Sequence, residues 1–162
     1  FKNLVLTLGV LMMLAFTSMA AAAPSQVNRS MTAINAAKAE IPAVCELVGY
    51  NVDGDTSIIT FKDPNTLERY VVDVNTATAK VQEIEVKGAT FVMGSTMVTK
   101  TPDDIEKIVL KNYPNAYEIV ITQGQDGNNI YYIADFLTDK FDGELKLDPV
   151  TGAICERELE YF

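Results

Sequence analysis

The chain has 162 residues, of which 22 are acidic and 13 basic, and it contains no histidine and no tryptophan. This length fits one domain or two small ones, and 48% apolar residues can fill a packed core. Without histidine the chain lacks the commonest general base and the usual zinc ligand. A formal net charge of −9 disfavours a surface that binds nucleic acid or anionic lipid. We therefore expect a protein that is not an enzyme and that uses no cofactor or metal.

The N-terminal segment has the organisation of a secretory signal peptide. Lys2 precedes an uncharged apolar run over residues 4–16, and small residues at 20–23 close the segment. This order predicts that residues 1–22 are removed as a signal peptide. The alternative is an uncleaved anchor, since residues 4–23 are just long enough to span a bilayer. We expect an exported protein, periplasmic or at the cell surface, with no membrane association after cleavage.

The chain that follows consists of two similar halves. A shift of 72 residues superimposes Pro42, Glu46 and Val48 on Pro114, Glu118 and Val120, and a shift of 73 superimposes Asp53, Gly54, Thr78, Glu83 and Glu85 on Asp126, Gly127, Thr151, Glu156 and Glu158. A repeat of this length indicates two copies of one supersecondary unit rather than a solenoid. We expect a first unit over residues 25–87, a linker over 88–100 and a second unit over 101–162.

Each half begins with a predicted amphipathic helix that ends at a proline, Pro42 or Pro114. The apolar stripe of the first helix contains Val27, Met31, Ile34, Ala37 and Ile41, and that of the second contains Ile105, Ile108, Val109 and Tyr113. In the second helix Thr101 is a predicted N-cap, and Pro102 suits the first helical position. We expect both stripes to face the core.

Four strands are predicted after each helix, from the alternation of apolar and polar residues. They cover 44–50, 57–61, 69–74 and 80–86 in the first half and 117–122, 130–134, 140–147 and 153–161 in the second, with a turn at 123–129 and a short extra strand at 89–93. Gly152 favours a tight turn before the last strand, whereas Ala79 at the equivalent position predicts a less regular turn. The expected fold class is α+β, as two tandem units in which a helix packs on an antiparallel meander of three to four strands.

Residues 141–154, FDGELKLDPVTGAI, contain a strand, an Asp-x-x-Thr-Gly turn and a second hydrophobic strand. Together with the helix end at 113–116, YPNA, this segment resembles a PepSY domain, and the resemblance covers most of residues 102–161. The first half is similar to a degenerate copy, because it keeps Thr78 but has Asn75 and Ala79 in place of the aspartate and glycine.

PepSY domains occur in peptidase propeptides and cell-envelope proteins. The resemblance implies a small helix-on-sheet fold, similar to cystatin-like and β-lactamase-inhibitor-like modules. It also implies that the protein inhibits or docks to an extracytoplasmic peptidase or envelope protein, acting in trans. A structural or accessory envelope protein without inhibitory activity is the alternative.

Two pairs of residues are candidates for a functional or stabilising role. Cys45 and Cys155 form either a disulfide, favoured by an oxidising compartment, or two separate inert thiols. Tyr131 and Tyr132 are adjacent on a predicted strand and must point to opposite faces, so one of them is a candidate partner contact.

Two groups of acidic residues have a simpler explanation than catalysis or metal binding. Asn51, Asp53 and Asp55 have the spacing of the first ligands of a calcium loop, but the glycine position and Lys62 do not fit, so a hairpin turn is expected. Glu156, Glu158 and Glu160 alternate on the last strand, where we expect a solvated face rather than an acid–base pair.

Overall fold

A computed structural model describes residues 26–88 and 94–162. The predicted signal peptide at 1–22 and the predicted strand at 89–93 lie outside the described residues. In chain order the elements are α1 (Gln26–Ala39), β1 (Glu46–Asp53), β2 (Thr56–Lys62), β3 (Arg69–Asn75), β4 (Val81–Lys87), α2 (Pro102–Asn112), β5 (Tyr117–Asp126), β6 (Asn129–Leu137), β7 (Phe141–Leu147) and β8 (Ile154–Tyr161).

The eight strands form one antiparallel sheet in the order β1-β2-β3-β4-β8-β7-β6-β5. The expected fold of two tandem units, each with its own small sheet, is therefore wrong. The two halves join where β4 pairs with β8, from Glu83 opposite Glu160 to Lys87 opposite Glu156. In separate sheets β4 and β8 would each leave an unpaired edge, and their pairing removes both edges at once.

The register of this β4–β8 seam agrees with the 73-residue repeat. Glu85 lies opposite Glu158, and these two residues are themselves equivalent at that shift. On either side of them, Glu83 pairs with Glu160 and Lys87 pairs with Glu156. At the 73-residue shift Glu83 is equivalent to Glu156, and Lys87 is equivalent to Glu160. Exchanging the two halves therefore converts one of these pairs into the other. The seam therefore has a local twofold arrangement centred on Glu85 and Glu158.

Both helices lie on the same face of the sheet, α1 on β2 and β3, and α2 on β5 and β6. The fully buried residues beneath them include Ile59, Phe61, Val72, Val74, Ala134, Leu145 and Leu147. The predicted stripe of α1 is only partly correct, because Val27 and Met31 are 72% and 53% exposed. Ala37 of the predicted stripe is 0% exposed and contacts the core, and so does Ala33, which the predicted stripe did not include. Small side chains at both positions suit close packing of the helix on the sheet.

The prediction for α2 is confirmed at its cap and along its stripe. The Thr101 hydroxyl accepts a hydrogen bond from the Asp104 amide, and the Asp104 carboxylate accepts one from the Thr101 amide, which together form a capping box. Hydrogen bonds from the Thr101 backbone and side chain hold the pKa of Asp104 below its ordinary value. Ile105 and Val109 are fully buried.

The turns correct two further expectations. Strand β5 continues to Asp126, so the predicted turn at 123–129 is much shorter and has Gly127 at φ 58°. Before β4, Ala79 adopts φ 55°, close to the φ 76° of Gly152 before β8. The turn at Ala79 is therefore as regular as its glycine-containing equivalent, although an alanine side chain disfavours this left-handed conformation.

Candidate functional site

The face of the sheet opposite the helices is uncovered by any described element, and it is strongly charged. Residues directly opposite one another across paired strands lie on the same face. One transverse row contains Glu85, Glu158, Glu144 and Asp135, and the next contains Asp73, Glu83, Glu160 and Asp142. We call these eight carboxylates the acidic face. Five of them, on β6, β7 and β8, surround a shallow depression of about 170 Å³.

A row of cations borders the acidic face on one side. Lys62, Arg69, Lys87 and Lys146 are aligned across β2, β3, β4 and β7, with Glu156 between the last two. Lys87 Nζ lies 2.6 Å from Glu85 and 4.0 Å from Glu156, and Lys146 Nζ lies 3.5 Å from Glu156 and 3.6 Å from Glu144. This basic row offsets the neighbouring carboxylates only, so the acidic face retains a large negative charge.

Burial and mutual repulsion together raise the pKa of three carboxylates of the acidic face. Burial, followed by the charges of Glu158, Asp73 and other nearby carboxylates, raises the pKa of Glu83. Burial and the charges of Glu144, Glu160 and Glu85 raise the pKa of Glu158. Burial and Glu85 likewise raise the pKa of Asp73. Like charges placed opposite one another destabilise a sheet, so these residues lower the stability of the folded chain.

A cleft opens on the other face of the sheet, above the seam and between the two helices. We call it the interhelical cleft. It has a volume of about 320 Å³, and its aromatic lining consists of Tyr70, Tyr113, Phe141 and Tyr161. Ile84, Val86 and Leu159 also line it, and its charged lining residues are Glu40 and Arg157. The cleft forms there because each helix packs toward an outer part of the sheet.

Hydrogen bonds fix the polar groups in and beside the interhelical cleft. The Tyr161 hydroxyl donates to Glu40 at 3.1 Å, and the Tyr70 hydroxyl donates to Glu68 at 2.9 Å. The Arg157 guanidinium lies 3.6 Å from Glu68. Burial, and then Glu68, raise the pKa of Tyr70, while burial and Glu40 raise that of Tyr161. Both phenols therefore remain protonated and act as hydrogen-bond donors.

The two candidate tyrosines point to opposite faces, as predicted. Tyr132 is 2% exposed beneath α2, and its hydroxyl donates to the Lys100 carbonyl at 2.8 Å, so it is a core residue. Tyr131 lies on the same face as the acidic residues and is half-buried. Its ring occupies the space above Gly124, where a Cβ atom would come within 2.3 Å of it. Tyr131 is thus the one of the pair that a partner could contact.

The two cysteines are free thiols in the structure. Cys45 is buried ahead of β1, and Cys155 is half-buried on β8. Burial is the main cause that raises the pKa of both thiols, which keeps them protonated and poorly nucleophilic.

The two groups considered in the sequence lie in a hairpin turn and on the last strand. Asp53 and Asp55 flank Gly54 at φ 57° in the β1–β2 hairpin, as expected of a turn. Among the described residues, no group of three or more His, Cys, Asp or Glu is placed to hold a metal ion. The alternation of Glu156, Glu158 and Glu160 was visible in the sequence, but their convergence with carboxylates of β3, β4, β6 and β7 depends on the strand order.

Searches of family models and of curated proteins found no match. One solved structure that matches is a protein from Clostridium difficile 630 described as a "putative lipoprotein". It is 18% identical, with a TM-score of 0.32, over 79% of this chain and 90% of that one. In the described part of this chain, neither helix is long and apolar enough to cross a membrane.

Proposed function

We propose that this is an exported, non-catalytic binding protein that uses its acidic face to dock on a basic surface of an extracytoplasmic peptidase or envelope protein. The observation that carries the proposal is the concentration of eight carboxylates in two adjacent rows at the centre of an uncovered sheet. Such a surface attracts cationic partners and accelerates their association.

The stability cost of the acidic face supports a role in binding. Burial and repulsion raise the pKa values of Asp73, Glu83 and Glu158. Residues that lower stability without an evident structural gain are typical of functional surfaces. A basic partner would relieve the repulsion and so regain part of this free energy.

Apolar groups beside the carboxylates would complete the docking surface. Ile58 and Val71 on one side, and Ile133 and Leu137 on the other, lie on the same face and are half-buried. Tyr131 extends this apolar border toward β5. Charged residues surrounded by apolar and aromatic contacts are an arrangement that protein interfaces use.

Export and peptidase binding rest on the sequence. The signal-peptide pattern at 1–22 supports export, and the resemblance of most of residues 102–161 to a PepSY domain supports a peptidase or envelope partner. The alternative remains a structural envelope protein that has no inhibitory activity.

The test compares two variants with the same change in net charge. Glu85→Gln/Glu158→Gln/Glu160→Gln removes charge from the acidic face, and Asp103→Asn/Glu106→Gln/Asp126→Asn removes it from α2 and a hairpin. Each is used to capture proteins from envelope extract and is assayed against secreted peptidases at several salt concentrations.

The proposal predicts that capture or inhibition is salt-dependent, is lost in the first variant and persists in the second. Equal behaviour of the two variants would show that the acidic face does not bind. A partner without any effect on peptidases would favour the structural alternative.

A further inference from the structure

The interhelical cleft is independent of the acidic face, since it lies on the other side of the sheet. Its volume of about 320 Å³ is within the range of small-molecule sites, roughly 300–1,000 Å³. Like those sites, it combines an apolar lining with a few polar groups. It therefore has the size and composition to hold a ligand of its own.

Aromatic rings form a continuous wall on one side of the cleft. The Phe141 and Tyr161 centroids are 5.3 Å apart, and those of Phe141 and Tyr113 are 5.9 Å apart in an edge-on arrangement. Tyr113 in turn packs on Phe136 at 4.7 Å, which anchors the wall in the core. The faces of aromatic rings carry negative electrostatic potential and attract cations.

The ionised groups add a negative charge to this wall. Arg157 and Glu68 lie 3.6 Å apart and offset each other. Glu40 accepts the hydroxyl hydrogen bond of Tyr161, and no lysine or arginine of the described residues lies within ion-pair distance of its carboxylate. The remaining charge in the cleft is therefore that of Glu40, beside the aromatic wall.

We propose that the interhelical cleft binds a small organic cation, an alkylammonium or quaternary ammonium group on a short apolar body. Its charged head lies against the rings of Tyr113, Phe141 and Tyr161 and is balanced by Glu40, as in other aromatic sites for such cations. Glu40 repels an anion of the same size, and a neutral ligand gains no attraction from its charge.

The test uses two probes that differ only in charge, choline and its neutral isostere 3,3-dimethylbutan-1-ol. Each is titrated into the 15N-labelled protein, and amide shifts are followed. We expect choline to bind about tenfold more tightly than the isostere, with the largest shifts around Tyr113, Phe141 and Tyr161. Equal affinities, no binding of choline, or shifts confined to the acidic face would overturn the proposal.

Variants separate a specific site from a general attraction to this acidic protein. Glu40→Gln and Phe141→Leu should each weaken choline binding several-fold, whereas Glu160→Gln, next to Tyr161 but on the other face, should leave it unchanged. The amide spectrum of each variant shows whether it is folded. Unchanged binding in a folded Glu40→Gln protein would overturn the proposal without affecting the one for the acidic face.

Discussion

The turns that precede β4 and β8 show how the two halves reach one geometry with different residues. Asn75 Oδ1 accepts hydrogen bonds from the amide and hydroxyl of Thr78, and Asp148 Oδ1 accepts the same two from Thr151. The enclosing backbone bonds also match, from Ala79 to Asn75 at 2.8 Å and from Gly152 to Asp148 at 2.9 Å. The side-chain acceptor and the threonine thus define the turn, and the glycine is not required for it.

The residue at the left-handed position of each turn has a different neighbour. A Cβ atom on Gly152 would lie 2.5 Å from Ile108 Cδ1, because α2 packs directly on this turn. In the first half Ala79 accommodates its Cβ atom, although the left-handed backbone is unfavourable for alanine. The comparison indicates that Gly152 is needed for two reasons. It adopts the left-handed φ readily, and its lack of a side chain leaves room for α2.

The two helices also differ in the size of their buried side chains. Ala33 and Ala37 of α1 are equivalent, at the 72-residue shift, to Ile105 and Val109 of α2, and all four are 0% exposed. The first half therefore fills its helix–sheet interface with small residues, and the second half fills the equivalent positions with branched ones. The core of the second half depends more on individual large side chains.

The largest expected effect of a substitution follows from this difference. Ile105→Ala should lower the free energy of unfolding by about 3 kcal/mol, because it leaves a cavity in a close-packed core. The reciprocal change, Ala33→Ile, should cost about 2 kcal/mol by overpacking. Urea unfolding measures both. A stabilising Ala33→Ile substitution would show that the core around the buried Ala33 is not close-packed.

A smaller effect is expected at the second turn. Gly152→Ala should lower the free energy of unfolding by about 2 kcal/mol, since it combines an unfavourable φ with a contact on Ile108. The double variant Gly152→Ala/Ile108→Ala removes the contact with the Ile108 side chain but keeps the unfavourable φ. If the double variant loses as much as the sum of the two single variants, steric contact with α2 is not the cause.

The acidic face predicts that the thermal stability of the protein depends on pH. The raised pKa values of Asp73, Glu83 and Glu158 mean that these groups destabilise the fold when ionised, and that this cost disappears as the pH falls toward their ordinary values of 3.8 for Asp and 4.5 for Glu. We therefore expect the Tm to rise as the pH falls from neutral toward those ordinary values.

At still lower pH the Tm should fall again. The pKa of Asp104 is lowered by its capping hydrogen bonds, and that of Asp148 is lowered by bonds from Thr151 and Val150, which outweigh the effect of burial. Their contributions are lost as the pH falls below 3.8. Neutralising the acidic face with Glu85→Gln/Glu158→Gln/Glu160→Gln should flatten the rise. A Tm that falls steadily from pH 7 to pH 5 would contradict the account.

The smallest expected effect is a gain. Ala79→Gly should raise the free energy of unfolding by about 0.5 kcal/mol, because relief of the left-handed strain exceeds the entropy that glycine loses on folding. Thermal unfolding with several replicates can resolve it. A loss of stability would mean that the Ala79 side chain makes a contact worth more than the strain.

The sequence was sufficient to locate the helices and strands, but it did not show which strands pair. Alternation of apolar and polar residues placed all eight strands, and Thr101 with Pro102 marked the start of α2. Alternation shows which residues share a face of one strand but carries no information on the neighbouring strand. Strands β4 and β8 could equally have been edges of two sheets, and only their pairing shows that they form the centre of one.

The candidate sites were hidden for the same reason. The acidic face contains one residue from β3 and one from β6, and two from each of β4, β7 and β8, so it exists only through the strand order. The interhelical cleft combines Glu40 with Tyr113 and Tyr161, which are distant in sequence. Arg157 was one sequence signal for the interhelical cleft. It is a charged residue at the position where the first half has the buried Ile84.

Amide hydrogen exchange across the β4–β8 seam tests the central claim most directly, because the acidic face requires one continuous sheet. The account predicts that the hydrogen-bonded amides around Ile84 and Leu159 exchange only through global unfolding, with the same protection as those around Val72 and Leu145. Seam amides that exchange by local opening, while β3 and β7 stay protected in two separately unfolding halves, would contradict it.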